Sequence, residues 1–510
     1  MGLFGRALAA VSPGWAAKRA KARMQLQAYE AAMPSRTHTT KREPRDANTA
    51  VFAAGVSLRE QARWLEENND LAIGILDKLE ERVVGARGIQ IEPQPLTRDG
   101  QVHEEFAAQL STLWEKWAEA PEVTGNFSLA EAQRLMLRSA VRDGEVFVQM
   151  VLGPVAGVRH NTPARFAFEM LEADFVPMNL NVADSTGTTQ QGINLNAWGR
   201  ATGYHIYKQH PRSGLGEMGT KIIPAERILH LAMRKRLHQI RGVSIFAGTL
   251  KRLSDIQEYE DSERIAARVA ASVGFYIKRG DPATYDGGDA PDDDQGDYRM
   301  FDMGPGMIYD RLQAGEELEM LESNRPSSNM EGFRNGQLRA VAAGVRAGYS
   351  SVARDYNGTY SAQRQELVES FEGYAVLQEW FTSRIARPLY RQWLEMLKLS
   401  GIKIPDDVDP DSLFNAIYMA PVMPWIDPVK ESDAWNKQIR GGAATEAGWI
   451  RARGMSPRQV KQQRMREIEF NRRHGLVFDT DPAHDKGTEN GPENSGTSAD
   501  NGSRTDPDEE

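Results

Sequence analysis

RAVAAGVRAGYSSVARDYNGTYSAQRQELVESFEGYAVLQEWFTSRIARPLYRQWLEML, residues Arg339–Leu397, is the stretch on which the reading of this chain turns. A short helix runs into a polar, aromatic-rich loop from Tyr349 to Tyr360, and a long amphipathic helix is expected from Ser361 to Leu397. Asn357-Gly358 predicts a tight turn at the loop tip. Arg346, Arg354, Tyr356, Asn357, Tyr360 and Arg364 crowd this loop and its flanks. Arg, Tyr and Asn suit sequence-blind contact with phosphates and sugars, while the segment holds no nucleophile beside a base. It reads as a surface that touches; an ordinary surface loop is the alternative.

Upstream, Ile245–Ser272 predicts a helix with Phe246, Leu250, Leu253 and Ile256 in one apolar stripe and a heavily charged stretch from Gln257 to Arg268. Such a helix suits packing against copies of itself; a surface helix of a monomer is the other reading. Helix resumes near Glu331. Between the two lie the strand GFYIKR, the acidic segment GDPATYDGGDAPDDDQGD, and a strand pair around Met307–Leu312 and Glu317–Met320. The order is helix, small β insert, helix.

Working toward the N-terminus, Ser57 with Glu60 three residues on predicts a helix start through Trp64 and Leu65. A second helix follows near Asp70, with Leu71, Ile75, Leu76, Leu79 and Val83 on one face, stopping at Gly85. GIQIEPQP reads as a short strand. Trp114 and Trp117, three apart on a helix, are expected in the core, and Ser128 is expected to start another helix. The segments GEVFVQMVL, RFAFEML, GINLNAWGRATGYHIYK and RILHLAM read as strands, so residues 144–233 are expected to be α+β with mostly antiparallel pairing. Beyond the long helix, PWIDPVKE precedes two or three short helices reaching about Arg473. Residues 478–510, nearly without apolar side chains, are expected to be disordered.

The chain has 510 residues, enough for several domains. It contains no cysteine, which excludes disulfides and thiolate metal sites. No signal peptide and no membrane span is read. The net charge is −9. Residues 1–46 carry nine Lys or Arg against three Asp or Glu (+6), and residues 479–510 carry ten acids against two bases (−8), which leaves −7 between them. A basic arm, acidic body and acidic tail do not describe a general nucleic-acid binder, but an acidic wall lets DNA slide where a basic one would hold it. No glycine-rich loop ends in Gly-Lys-Ser/Thr, so a phosphate cradle is absent. Asp292, Asp293 and Asp294 lack the distal Glu of a calcium loop. The histidines form no metal-binding pair, and His205 and His230 sit in strands as expected core residues. Asp481, Asp485 and Lys486 lie in the tail. Neither catalytic residues, nor a cofactor, nor a metal is assigned.

Four ordered stretches resemble the lambda-like bacteriophage portal proteins. They are RWLEENNDLAIGILDKLEERVVGARGIQI; RDGEVFVQM with QGINLNAWGRATGYHIY and RGVSIF; GPGMIYDRLQAGEELEMLESNRPSSNMEGF running into RAVAAGVRAGYSSVARDYNGTYSAQR; and PWIDPVKESDAWNKQIRGGAATEAGWIRARGMSPRQVKQQ, with the family's Trp-x-Asp-Pro-x-Lys-Glu signature. Together they cover roughly residues 55–470. Two departures stand out: Gly344-Val345-Arg346-Ala347-Gly348 replaces a pair of Gly and Leu, and Val352 replaces a Leu.

The resemblance implies an α+β portal-type subunit that assembles as a ring, commonly dodecameric, at one capsid vertex. Residues 1–50 would be a flexible basic arm, 51–240 the wing, 241–276 a stem helix, 277–325 the β clip and 326–346 the second stem helix. Residues 347–400 would form the tunnel loop and long wing helix, 401–477 the crown, and 478–510 the acidic tail. It implies a passive channel for packaging and ejecting double-stranded DNA, without sequence preference and without enzymatic activity. The implied partners are the terminase large subunit, a head–tail connector or adaptor, and the major capsid or scaffold protein, with no membrane. The implied location is the virion, and the host cytoplasm during assembly. The tunnel-loop residues would be Arg346, Arg354, Tyr356, Asn357, Tyr360 and Arg364. Another virion component of the tail or baseplate, or a mobile-element hydrolase, is the rival reading.

Overall fold

The computed structural model describes residues 42–183, 187–213, 219–271, 275–279, 316–320, 330–424 and 427–478, together with Gly14, Lys18 and Lys21. They fall into two compact units, Met1–Pro421 and Val422–Glu510. The first opens with α1 (Ala47–Asn68) and α2 (Asp70–Val83). The start of α1 lies eleven residues before the expected one. Asp46, not Ser57, is the N-cap, accepting from the backbone N–H groups of Asn48 and Thr49; Ser57 lies mid-helix. The arm expected over 1–50 therefore gives way to helix at Ala47, and most of it lies outside the described residues. Asn69 ends one helix and caps the next, its Oδ1 accepting from Ala72 N at 3.0 Å.

β1 (Gln90–Pro93), α3 (Glu104–Ala118) and α4 (Leu129–Asp143) follow. α4 starts at Ser128 as the sequence predicts, and the structure adds a reciprocal capping box with Glu131. Trp114 and Trp117 are buried, and the Trp117 indole donates to Phe166 O at 2.8 Å. Next come β2 (Glu145–Leu152), β3 (Phe166–Glu172), β4 (Val182–Ala183), β5 (Thr188–Gln190), β6 (Ile193–Leu195), β7 (Ala201–Tyr207), β8 (Thr220–Pro224) and β9 (Ile228–Ala232). They form two sheets, β3-β2-β9 and the meander β4-β5-β6-β7-β8, and the strands pair antiparallel throughout.

The expected helix at Ile245 begins as a 3-10 turn, Ile245–Gly248, before α5 (Leu250–Ala271). Its apolar stripe is buried as predicted. β10 (Phe275–Arg279) pairs with β11 (Glu316–Met320). The sequence paired Glu317–Met320 with Met307–Leu312; β10 takes that place, and Met307–Leu312 lies outside the described residues. So does nearly all of the expected clip. α6 (Met330–Val345) then packs on α5, with Arg334 Nε 2.5 Å from Glu260 Oε1 and the Tyr259 and Phe333 rings 5.1 Å apart.

A short α7 (Tyr349–Ala353) precedes α8 (Tyr360–Phe381) and α9 (Arg387–Leu399). The single helix expected over Ser361–Leu397 is thus two, joined by a π-helical turn at Thr382–Ala386. Pro388 is the cause: its ring cannot sit against the carbonyl four residues back, and the wider turn relieves that clash. β12 (Ala416–Met419) returns to pair with β1. Residues 401–421 therefore belong to the first unit and are not part of the C-terminal one, as the 401–477 boundary had it.

The second unit holds α10 (Pro428–Arg440), α11 (Glu446–Ala452) and α12 (Pro457–His474). Asp427 and Thr445 cap the first two, and Trp435 stacks on Trp449 at 6.4 Å. Among the described residues no helix is long and apolar enough to cross a membrane. The acidic tail lies outside them.

Candidate functional site: an arginine-flanked loop and its supports

The loop between α6 and α8 is shorter than the sequence suggests. Tyr349–Ala353 is helical, so the irregular segment is residues 354–359. Asn357-Gly358 is a bend without the expected hydrogen-bonded tight turn. The left-handed positions fall elsewhere: Arg346 has φ 58° and Arg354 has φ 54°. Each ends a helix where glycine is the usual choice, because an L side chain in that conformation costs about 1–2 kcal/mol.

The base of the loop is held by side chains that carried no sequence signal. Glu366 on α8 accepts from Ser350 N at 2.8 Å and from Ser350 Oγ at 2.5 Å. Tyr349 donates its hydroxyl to Asp355 at 3.1 Å, and the Arg339 guanidinium lies 5.0 Å from the Tyr349 ring centre. Thr359 caps α8 through Ala362 N, and the Gln363 amide donates to Tyr356 O. A Cβ at 348 would come within 2.8 Å of both Glu366 Oε1 and Ser370 Oγ, so a larger residue there must displace one of those side chains.

All six predicted residues are exposed. The structure gathers Arg354, Tyr356, Asn357 and Tyr360 on the loop or its exit. Arg346 lies at the end of α6 and Arg364 one turn into α8. Among the described residues no ion pair engages the guanidinium of Arg346, Arg354 or Arg364. The arrangement leaves cations, phenols and an amide exposed to solvent.

A second charged constellation was missed. Gly144 and Gly242 pass so closely that a Cβ on Gly242 would overlap the Gly144 carbonyl at 1.9 Å. This contact brings Arg241 onto Glu145, both fully buried. Arg241 Nε donates to Glu145 Oε1 at 2.7 Å, and its other nitrogens reach the carbonyls of Ala173, Val176 and Gln191. Gly242 N and His230 Nε2 complete the carboxylate's shell at 2.9 and 3.0 Å. Burial alone would raise the Glu145 carboxyl, but Arg241 and His230 hold it well below the usual carboxylate range. Burial lowers His230 to about 4 in spite of Glu145, so the ring is neutral at pH 7 and Nε2–H is the donor.

The network continues outward. Arg63 bridges Asp143 and Asp174 at 2.6 Å each. Arg142 and Arg138 clasp Glu66 at 2.5 Å. The grouping of Glu172, Asp174 and His210 resembles a ligand set, yet Arg59 and Arg63 already neutralise Asp174. A lone acid opening an otherwise apolar strand, as in GEVFV, was the available hint.

Comparison with known proteins matches residues 33–378, about two thirds of the chain, to the family described as "Phage portal protein, lambda family". A "Probable portal protein" of Halomonas phage phiHAP-1 is 25% identical over 450 residues, spanning 84% of this chain and 83% of that one. "Portal protein B" of Escherichia phage lambda is 21% identical, over 81% and 83% of the two chains. Among solved structures, the neck of the native gene transfer agent particle, computed with C12 symmetry, aligns with a TM-score of 0.46 at 13% identity over 79% of this chain and 94% of that one.

Proposed function

Because the chain belongs to the lambda family of phage portal proteins, a structural family of the virion and not an enzyme family, we propose that it forms the channel-bearing ring of a portal vertex. In this reading copies close head to tail, in a dodecamer. Residues 47–240 with α8 and α9 serve as wing, α5 and α6 as stem, 277–325 as clip and the unit from Val422 as crown. The 346–364 segment faces duplex DNA. The clip side takes the terminase large subunit during packaging and a head–tail connector afterwards, and the outer wing meets capsid or scaffold protein. Assembly takes place in the host cytoplasm.

The observation that carries the DNA-facing assignment is a contrast in charge. The arginines of α1 and α4 (Arg59, Arg63, Arg134, Arg138 and Arg142) are ion-paired, whereas Arg346, Arg354 and Arg364 stand exposed with no ion pair among the described residues, two of them in a strained backbone conformation. Strain of that kind persists where surrounding structure holds it, and it gathers at working sites. Guanidinium and phenol groups brush phosphates and sugars without reading sequence, as a conduit requires. The test has two readouts. Negative-stain images should show rings with a hole of at least about 20 Å, the width a duplex needs. Replacing Arg354, Tyr356 and Asn357 with Ser should leave rings intact and reduce the DNA packaged per head at least several-fold. Full packaging by that variant would remove the loop from the channel; small closed dimers would remove the ring.

A further inference from the structure

Trp198 is 94% exposed and Leu237 is 98% exposed, the two most exposed large apolar side chains among the described residues. Both sit on turns that are rigidly tied. In the β6–β7 hairpin, Asn196 Oδ1 accepts from Trp198 N at 3.0 Å and Arg200 N at 2.9 Å, while Gly199 N donates to Asn196 O at 2.9 Å. After β9, Gln239 Oε1 accepts from Lys235 N at 3.0 Å and Arg236 N at 3.3 Å, and Asn48 Nδ2 donates to His238 O at 2.9 Å. The two turns flank a groove of about 690 Å³ whose lining includes Arg200, Arg234 and Arg384 and no carboxylate. Preorganised aromatic and aliphatic anchors beside a basic groove are the make-up of an interface centre.

We propose that this face is where one copy of the chain grips the next, an inference that rests on the ring reading above. Two observations select a second copy as the occupant. The groove is cationic whereas the chain carries a net −9, so another copy is complementary in charge. The required second patch, different from the first as head-to-tail closure demands, exists on α1. Trp64 is about half exposed there, and Glu60 and Glu67, one turn before and after it on the same helical face, are exposed as well. Aromatic and acidic groups there match the apolar and basic groups around Trp198.

The absence of cysteine makes the test clean. Leu237→Cys, labelled with a maleimide-benzophenone, is assembled, checked for rings by native mass spectrometry, and irradiated. The expected product is a ladder of self-linked copies, with the linked peptide falling around Trp64, away from the Ala47–Asn48 end that touches the same turn within one copy. In parallel, Trp198→Ala with Leu237→Ala should raise the concentration for half-assembly at least tenfold while the monomer keeps its circular dichroism. Rings that yield only links within one chain, or unchanged assembly of the double variant, would overturn this interface and leave the ring reading standing. Absence of rings from the unmodified protein would overturn both.

Discussion

Two regions of this molecule gather arginine and treat it in opposite ways. Around Glu145, Arg241 is fully buried and its nitrogens reach a carboxylate and three backbone carbonyls. Around the 354–359 loop, Arg346, Arg354 and Arg364 are exposed, with no ion pair to them among the described residues. A buried ion is stable only when every group around it is satisfied, so the first region is specific and unforgiving. An exposed ion contributes little to folding, so the second region is free to serve a ligand. The two regions differ in how their charge is satisfied, and the proposed DNA-facing role of the loop rests on that difference.

The comparison is broken most directly at Arg241. Arg241→Met keeps volume but leaves Glu145 buried with only His230, Gly242 N and a distant Arg59 (3.5 Å). The expected loss is about 3–5 kcal/mol, read as a fall in the urea midpoint. A loss below about 1 kcal/mol would mean that this knot behaves like a surface pair.

The same knot sets a pH dependence with a definite sign. His230 is lowered from 6.5 to about 4 in the folded chain. Between those values the unfolded chain binds more protons, so stability must fall as pH drops from about 6.5 toward 4. Below 4.5 the depressed Glu145 carboxyl adds a loss of the same sign. The slope contributed by His230 is at most about 1.4 kcal/mol per pH unit. His230→Asn should flatten the upper part of the profile; an unchanged profile between pH 6.5 and 5 would exclude His230 as its source.

How much of this was legible in the sequence follows from what each element depends on. Local signals carried well: the helix start at Ser128, the apolar stripe from Phe246 to Ile256 and the buried tryptophans at 114 and 117 are found where the sequence places them. Errors came where a nearer competitor existed. Asp46 caps α1 because it lies ahead of Ser57, and the chain is already helical when Ser57 arrives. Pro388 splits the long helix, a punctuation mark present in the sequence but passed over. The β10–β11 pairing and the return of β12 to β1 join residues far apart, which periodicity cannot see. At the loop, the six named residues are exposed, a property that polar composition alone marks. Their supports were not, since Glu366 reaching Ser350 and Arg241 reaching Glu145 are contacts made by the fold.

One of those supports sharpens the comparison, because it belongs to the loop yet acts structurally. In Gly348→Ala, the new methyl meets Glu366 Oε1 and Ser370 Oγ at 2.8 Å. Glu366 can yield only by releasing Ser350 N and Oγ. The expected cost is about 1–2 kcal/mol for the lost bonds to a charged acceptor. Hydrogen exchange should rise at residues 350–353 and not at 145–152. Exchange that rises equally in both would mean that the two regions are not independent.

The smallest stability effect is the most diagnostic, because stability and function should move in different directions. Arg346 and Arg354 hold left-handed backbone, where glycine is free of the side-chain penalty of about 1–2 kcal/mol per residue. Glycine also gives the unfolded chain more freedom, which offsets about 0.5–1 kcal/mol of that gain. Arg346→Gly with Arg354→Gly should therefore leave the urea midpoint unchanged or slightly raised, while reducing DNA retention in filled heads and weakening the salt dependence of DNA binding by the ring. Alanine at the same positions separates the causes: it removes the charge but keeps the strain, so it should match glycine in DNA retention without the gain in stability. A double glycine variant that lost more than about 1 kcal/mol would show that these arginines are held by the fold as Arg241 is, and the division between satisfied and free charge would fail at the site where it matters most.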